Sequence, residues 1–189
     1  MALPNIGLIG KLRAGKDEVA KYLAENYGYV RFAFGDALKD DFHTRYPEVP
    51  REPKPRAGYQ FHGQFMRERD PNLWVRKCFE EIEDTRVHFE YYTEPFRAVI
   101  TDCRQPNEHE ALKSAGYTLI RVDAPDTVRI QRAIESGDTF NYADLMHGTE
   151  TALDDYEADF TVDNSGTLAE LYAQIDTIMA ALGGQQCAV

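Results

Sequence analysis

The stretch Gly10-Lys11-Leu12-Arg13-Ala14-Gly15-Lys16-Asp17 decides the fold of this chain. It has the pattern G-x-x-x-x-G-K and lies between a short apolar run, Asn5–Ile9, and a helical pattern that begins near Lys16. Glycines let such a loop curl so that successive backbone N–H groups face phosphate oxygens, and the helix N-terminus adds positive potential. We therefore expect a phosphate-binding loop, in which Lys16 supplies a mobile cation to the β- and γ-phosphates. The alternative is a plain strand–turn–helix with an incidental lysine.

Asp17 departs from the usual form of this loop, which has Ser or Thr as a Mg²⁺ ligand at that position. A carboxylate there either binds the ion, directly or through water, or only carries negative charge at the helix N-terminus. The sequence leaves both interpretations open.

Strands and helices alternate along most of the chain, which predicts an α/β fold with a mainly parallel sheet of five strands. Residues 35–96 carry helical patterns without strands, so we expect them to form an insertion between two core segments, 1–34 and 97–189, of a single domain. Asp36 is predicted to be the N-cap of a helix over Ala37–Tyr46. The predicted strands are Asn5–Ile9, Tyr29–Phe34, Phe96–Thr101, Tyr117–Val122 and Phe160–Val162.

The charge balance excludes several classes of partner. The 189 residues carry a formal net charge of −11, which disfavours binding to the phosphate backbone of nucleic acids. The stretch from Arg51 to Lys77 nevertheless holds seven basic and three acidic side chains, a local excess that suits a small anionic ligand. No apolar run is long enough for a transmembrane helix, and three cysteines without a CxxC pair fit a reducing cytoplasm. The sequence is compatible with a homodimer and does not decide the oligomeric state.

Six motifs occur in the order found in one enzyme family. The first two are Gly10–Asp17 and Phe34-Gly35-Asp36-Ala37-Leu38-Lys39, and the others follow along the chain. Together they resemble the phage deoxynucleoside monophosphate kinases, which are related to nucleoside monophosphate kinases and dephospho-CoA kinase. The later motifs are Arg56–Arg67 (R-x-x-x-Q-x-x-G-x-x-x-R), Asp70–Val75 (D-P-x-x-W-V), Thr101–Glu108 (T-D-x-R-x-P-N-E) and Asp163–Leu168 (D-N-x-G-x-L).

The resemblance implies a P-loop NTPase fold of three layers, with 35–96 as a helical acceptor-binding insertion and a lid at about 129–150. It implies ATP as phosphoryl donor, Mg²⁺ as cofactor, a deoxynucleoside monophosphate as the small-molecule substrate, and the host cytoplasm as location for a phage-encoded chain. No membrane and no nucleic acid polymer is expected as partner. The residues implied to bind the donor are Gly10, Lys11, Leu12, Arg13, Ala14, Gly15, Lys16, Asp17, Asn164 and Gly166, of which Arg13 and Lys16 also serve catalysis.

The remaining site residues each have a structural alternative. Arg129 and Arg132 resemble lid arginines that neutralise the transferring phosphoryl group, or they lie on an exposed helix face. Asp102 holds Mg²⁺ through water or only forms a turn. Arg104 reaches a phosphate or pairs with Glu108. The residues expected to bind the acceptor are Asp36, Lys39, Arg56, Gln60, Arg67, Trp74 and Arg104.

Four of these acceptor residues also have structural alternatives. Arg56, Gln60 and Arg67 would share one helix face, either as phosphate and base ligands or as a solvated surface. Trp74 would stack on the base or pack in a core. His147 and Glu150 are too few for a zinc site.

These patterns predict transfer of the γ-phosphoryl group of ATP to a deoxynucleoside 5′-monophosphate. Such a reaction depends on positioning and charge neutralisation, which fits a constellation of Lys, Arg and Asp. One alternative is a kinase of another small acceptor, such as dephospho-CoA or phosphomevalonate. The other is a nucleotide-binding switch, against which the chain has neither an N-K-x-D nor a D-x-x-G switch motif.

Overall fold

A computed structural model describes residues 3–136 and 152–183 of the chain. The chain divides into two units. The first, here called the sheet unit, comprises Met1–Arg31 and Phe96–Val189, and the second, here called the helical unit, comprises Phe32–Pro95.

The sheet has five strands in the order β2-β3-β1-β4-β5. β1 lies parallel to both β3 and β4, and β4 lies parallel to β5. Parallel neighbouring strands cannot be joined by a tight hairpin, so they need a longer crossover connection. The strands are β1 (Ile6–Ile9), β2 (Val30–Phe32), β3 (Ala98–Cys103), β4 (Thr118–Asp123) and β5 (Phe160–Asp163).

Both faces of the sheet are covered, which explains why the central strands are apolar along their whole length. Ile6 and Leu8 point to a face that packs against α1 (Lys16–Tyr27) and the last helix, α7 (Leu168–Ala181). Gly7 faces the other side, where a Cβ would lie 2.7 Å from Cδ1 of Leu112. Leu112 belongs to α5 (Pro106–Ser114), so helices flank the sheet on both sides. The predicted three-layer α/β fold is confirmed.

Two helices of the sheet unit begin with reciprocal capping boxes. Gln105 and Glu108 form one at the start of α5, and Thr167 and Glu170 form one at the start of α7. In each, the N3 carboxylate accepts the N-cap backbone N–H that the helix leaves unsatisfied. The helix between β4 and β5 that carries the predicted lid arginines is α6 (Asp126–Glu135).

The helical unit contains α2 (Phe34–Arg45), α3 (Arg56–Arg69) and α4 (Leu73–Tyr91). Phe42 of α2 lies at its aromatic centre, with its ring centroid 5.1 Å from that of Tyr59 and 5.8 Å from that of His62, both on α3. Gly58 permits this packing, because a Cβ there would lie 2.7 Å from Cζ of Phe42.

Several predicted boundaries shift by one or two residues, and one predicted cap is wrong. Helix α2 begins at Phe34, directly after β2, so Asp36 lies in the first helical turn and the N-cap is Ala33. The burial of Phe34 against the helical unit explains the early start, since its aromatic ring is 1% exposed. At the end of β3 the strand runs on to Cys103, so Asp102 lies within the strand.

Two expectations drawn from composition can be compared with the structure. Cys78 and Cys103 are buried cysteines that belong to no disulfide of the described residues, while Cys187 lies outside those residues. Among the described helices, none has the length and apolar character that crossing a bilayer demands.

The centre of the sheet provides a test of the packing. Ile120 of β4 is fully buried, so Ile120→Ala should lower the free energy of unfolding by about 2–5 kcal/mol through lost burial and a cavity. Ile134 of α6 is 61% exposed, and Ile134→Ala should change it by no more than about 0.5 kcal/mol. Urea unfolding followed by circular dichroism measures both, and equal losses would contradict the described core.

Candidate active site

The loop between β1 and α1 has the backbone of an anion-binding turn. Gly10 has φ 152° and Gly15, the N-cap of α1, has φ 106°. Between them Arg13 takes a left-handed conformation with φ 63°. The N–H of Ala14 donates to the carbonyl of Lys11 over 3.1 Å, which closes the turn. These torsions orient successive N–H groups toward one side, as the sequence motif predicts.

The two glycines are also required by close packing. A Cβ on Gly10 would lie 2.4 Å from the carbonyl oxygen of Val122, in the neighbouring strand β4. A Cβ on Gly15 would lie 2.0 Å from Nδ2 of Asn164, which follows β5. Both distances are far below van der Waals contact, so the loop can lie against its neighbours only without these side chains.

Lys16 folds back over the loop. Its side chain is 7% exposed, and Nζ donates to the carbonyls of Gly10 at 2.6 Å and Lys11 at 3.0 Å. Carbonyl oxygens carry no full charge, so these bonds hold the ammonium group in place without neutralising it. The lysine therefore lies within the turn that the motif assigns to the donor phosphates.

Two arginines of α6 meet the same loop. Arg129 is 3% exposed; its Nε donates to the carbonyl of Leu12 at 2.7 Å and its Nη1 to Asp126 at 2.6 Å. Nη2 of Arg132 donates to the carbonyl of Asn164 at 2.9 Å, and its Nη1 lies 4.0 Å from the position of a Cβ on Gly15. The alternative of an exposed helix face is therefore wrong for Arg129.

One nitrogen of each guanidinium group stays unsatisfied. Within the described part of the chain, Nη2 of Arg129 and Nη1 of Arg132 are buried and have no hydrogen-bond partner. A buried charged donor without an acceptor costs several kcal/mol at most sites, so such atoms call for an explanation. Two of them at one glycine-rich loop fit an anion with several oxygens.

The two predicted metal ligands, Asp17 and Asp102, are both carboxylates. Asp17 is exposed in the first turn of α1, and Asp102 is half-buried near the end of β3. Over residues 3–136 and 152–183 there is no group of three or more His, Cys, Asp or Glu side chains arranged to hold a metal ion. Carboxylate oxygens such as those of Asp17 and Asp102 are the type of protein ligand that Mg²⁺ prefers, together with water and substrate phosphates.

A small pocket opens beside the loop. It is lined by Arg104 and Asp154, among others, and Nζ of Lys11 forms a 3.0 Å ion pair with Asp154. Arg121 of β4 also lines the pocket, although no sequence motif singled it out as a site residue. Its Nη2 donates to the carbonyls of Leu153 and Tyr156. The pocket residues are Gly10, Lys11, Cys103, Arg104, Arg121, Asp123, Leu153 and Asp154.

Two buried groups next to this pocket have structural roles. Glu108 is 3% exposed and its Oε2 accepts the backbone N–H groups of Arg104 and Gln105, so it caps α5. Burial raises the pKa of the Cys103 thiol well above its ordinary value, and Glu108 and Asp102 add to the effect. The direction of this pKa shift disfavours the thiolate, which is the nucleophilic form of cysteine.

The motif Asp163–Leu168 contains two residues predicted to bind the donor, and they have different surroundings. Asn164 is 3% exposed and its Nδ2 donates to the carbonyl of Ala14 at 2.7 Å, so it lies against the phosphate loop. Gly166 lies at the start of α7, where a Cβ would be 2.3 Å from Oε2 of Glu170. A role of Gly166 in nucleotide binding stays a prediction.

The helical unit carries the predicted acceptor residues on α3. Arg56 and Arg67 are half-buried and Gln60 is exposed, at spacings that place them on one helix face. The guanidinium of Arg67 lies over Gly63 of the same face, where a Cβ would be 3.2 Å from its Nη1.

Three further predicted acceptor residues are held by contacts within this unit. Asp36 and Lys39 form a 2.6 Å ion pair along α2. The expectation that Trp74 stacks on a base is wrong, because its side chain is 1% exposed and Nε1 donates to the Gly63 carbonyl at 3.4 Å. It is a core residue.

Part of one prediction lies outside the described residues. The predicted lid spans about 129–150, of which the structure describes α6 and Ser136. His147 and Glu150, rejected above as zinc ligands, also fall outside.

Comparison with known proteins identifies the family. A family model described as AAA domain matches residues 6–142, more than half of the chain. The chain belongs to this family. It is 34% identical to the deoxynucleotide monophosphate kinase of Escherichia phage RB69, over 58% of this chain and 37% of that protein. It is 26% identical to a protein of Acanthamoeba polyphaga mimivirus, provisionally named deoxynucleotide monophosphate kinase, over 90% of this chain and 93% of that protein.

Solved structures give the same fold. A sugar kinase from Janibacter sp. HTCC2649 superposes with a TM-score of 0.61 over 95% of this chain and 98% of its own, at 16% identity. The predicted resemblance to P-loop kinases and the predicted P-loop fold are confirmed.

The close packing of the loop can be tested by adding one methyl group. Gly10→Ala should lower the free energy of unfolding by about 1–2 kcal/mol for the torsion and about 1–3 kcal/mol for the overlap with Val122. Gly116→Ala is the control, since Gly116 has φ 75° with nothing within 4 Å of a Cβ, and only the torsional cost remains. Urea unfolding measures both variants, and an equal loss in each would show that the loop is not packed as described.

Proposed function

We propose that this chain transfers the γ-phosphoryl group of ATP to a deoxynucleoside 5′-monophosphate, which forms ADP and the deoxynucleoside diphosphate. The observation that carries the proposal is the pair of buried, unsatisfied guanidinium nitrogens of Arg129 and Arg132 at the glycine-rich loop. The choice of acceptor is supported by the names of the phage and mimivirus relatives and by the motifs of the helical unit.

Phosphoryl transfer needs little covalent chemistry from the protein, so the side chains act through position and charge. The loop N–H groups, Lys16 and Arg13 bind the donor phosphates. Nη2 of Arg129 and Nη1 of Arg132 donate to oxygens whose negative charge grows as the phosphoryl group moves. Because both guanidinium groups are already anchored to backbone carbonyls, they need little reorganisation when the charge develops.

Asp102 and Asp17 would hold Mg²⁺ in this proposal. The ion, when bound, supplies positive charge to the phosphate oxygens. Oxygen ligands of this kind are those that Mg²⁺ prefers, and the remaining positions go to water and phosphate. Asp17 replaces the neutral hydroxyl usual in such loops with a full negative charge.

The acceptor is assigned to the face of α3. A deoxynucleoside monophosphate presents a compact dianion, and arginine forks match its oxygens in pairs. Arg56 and Arg67 would grip this phosphate and Gln60 would donate to or accept from the base. The Asp36–Lys39 pair of the helical unit is assigned to the sugar or base of the acceptor. Arg104, in the sheet unit, stays a predicted phosphate ligand.

An acceptor screen tests the proposed reaction. We expect ADP release, followed by a coupled assay, with deoxynucleoside monophosphates and much less with ribonucleoside monophosphates, dephospho-CoA, phosphomevalonate or sugars. Lys16→Ala should lower kcat by about 10²–10³-fold while unfolding stays cooperative, because Lys16 serves the transferring charge. Lys21→Ala, an exposed lysine of the same helix, is the matched control and should keep the wild-type rate.

Two results would contradict the proposal. Turnover of another acceptor alone would move the chain to a different kinase specificity. ATP binding without turnover of any acceptor would favour a nucleotide-binding switch.

The acceptor face can be tested separately from the donor site. Arg56→Ala and Arg67→Ala should each raise KM for the monophosphate about ten- to a hundredfold, since each removes a charged hydrogen bond worth about 1.5–3 kcal/mol. KM for ATP should change far less. Arg69→Ala is the control on the same helix, because Arg69 lies over the ring of Phe65, 4.4 Å from its centroid, on a different face. Initial rates measured while each substrate is varied in turn give both KM values. Equal effects on the two KM values would place the acceptor site elsewhere.

A further inference from the structure

Asn164 joins three parts of the sheet unit that are distant in sequence. Its backbone N–H donates to the carbonyl of Asp123 at the end of β4, at 2.7 Å. Its Nδ2 donates to Ala14 in the phosphate loop at 2.7 Å. Nη2 of Arg132 on α6 donates both to its backbone carbonyl at 2.9 Å and to its Oδ1 at 3.3 Å.

These contacts use both ends of the amide. Asn164 is 3% exposed, and its Nδ2 occupies the space that a Cβ on Gly15 would fill. The side chain is therefore committed to the protein interior. This differs from the sequence-based expectation, in which Asn164 contacts the nucleotide itself.

The position of Arg132 depends on this anchor. Of its terminal nitrogens, Nη2 is bound to Asn164 and Nη1 is the buried one without a partner in the described residues. A guanidinium group is planar and rigid, so fixing Nη2 also fixes the direction of Nη1. The same amide tethers Ala14, whose N–H belongs to the loop that Nη1 faces.

We propose that Asn164 is a positioning residue, which orients Arg132 and the phosphate loop together toward the polyphosphate of the nucleotide and makes no contact with the base. The proposal rests on the proposed function only in taking a nucleotide polyphosphate as the ligand of the loop. It does not depend on which acceptor is used.

Binding of inorganic tripolyphosphate separates a phosphate role from a base role. We expect Asn164→Ala to weaken ATP and tripolyphosphate by the same factor, about tenfold or more, in isothermal titration calorimetry of the full chain. Asn26→Ala is the matched control, because Nδ2 of Asn26 also donates to a backbone carbonyl, that of Tyr22 within α1. It should leave both affinities unchanged.

A double-mutant cycle with Arg132→Ala tests whether Asn164 acts through the arginine. In the Arg132→Ala background, Asn164→Ala should weaken tripolyphosphate binding by no more than about twofold. That remaining effect would come from the lost hydrogen bond between Asn164 and the loop. Asn164→Asp provides a second variant if Asn164→Ala does not fold. Its carboxylate would neutralise Arg132 and face the carbonyl of Ala14, so tripolyphosphate should weaken by at least the same factor.

Each contrary outcome has a distinct meaning. Loss of ATP affinity with tripolyphosphate unchanged would assign Asn164 to the base and overturn the proposal. A lower melting temperature with unchanged affinities, or full additivity in the cycle, would also overturn it. If the wild-type chain binds both polyphosphates but phosphorylates no deoxynucleotide, the proposed function fails and the role of Asn164 is still decided. Binding of neither polyphosphate would overturn both.

Discussion

The close approach of the phosphate loop to the strands beside it is the constraint on which the candidate site depends. At Gly10 the backbone lies so near Val122 that a methyl group would overlap its carbonyl, and at Gly15 the same is true of the Asn164 amide. This packing fixes the loop against β4 and the end of β5. Lys16, Arg129 and Arg132 can then be held by loop and strand carbonyls instead of by flexible surface contacts.

The hydrogen bonds at this loop fix positive groups without removing their charge. Lys16 donates to two loop carbonyls, and Arg132 donates to the carbonyl of Asn164. A carbonyl accepts a hydrogen bond yet carries no full negative charge, so these bonds do not themselves neutralise the cations, in a chain of net charge −11. Under the proposed function, positive side chains confined to one loop of an acidic chain favour a small polyphosphate over a nucleic acid polymer.

Sequence reasoning was most accurate where the signal is local and repeated. Apolar runs gave the five strands, since central parallel strands are buried on both faces. It was wrong for Asp36, because the burial of Phe34 starts α2 earlier than the capping preference of an aspartate would. For Trp74 the sequence left base stacking and core packing open, and the burial of the indole in the helical unit decided for the core.

By itself the sequence determined the phosphate loop, the α/β class and the resemblance to P-loop kinases. Each of these depends on patterns of residues that are close together along the chain. Only the tertiary structure decided the contacts of Asn164, which meets Ala14 across 150 positions and Arg132 across 32. It also decided that Arg129 is buried, whereas helical periodicity alone allowed an exposed face. Contacts of that range depend on strand order and helix packing, which no local pattern encodes.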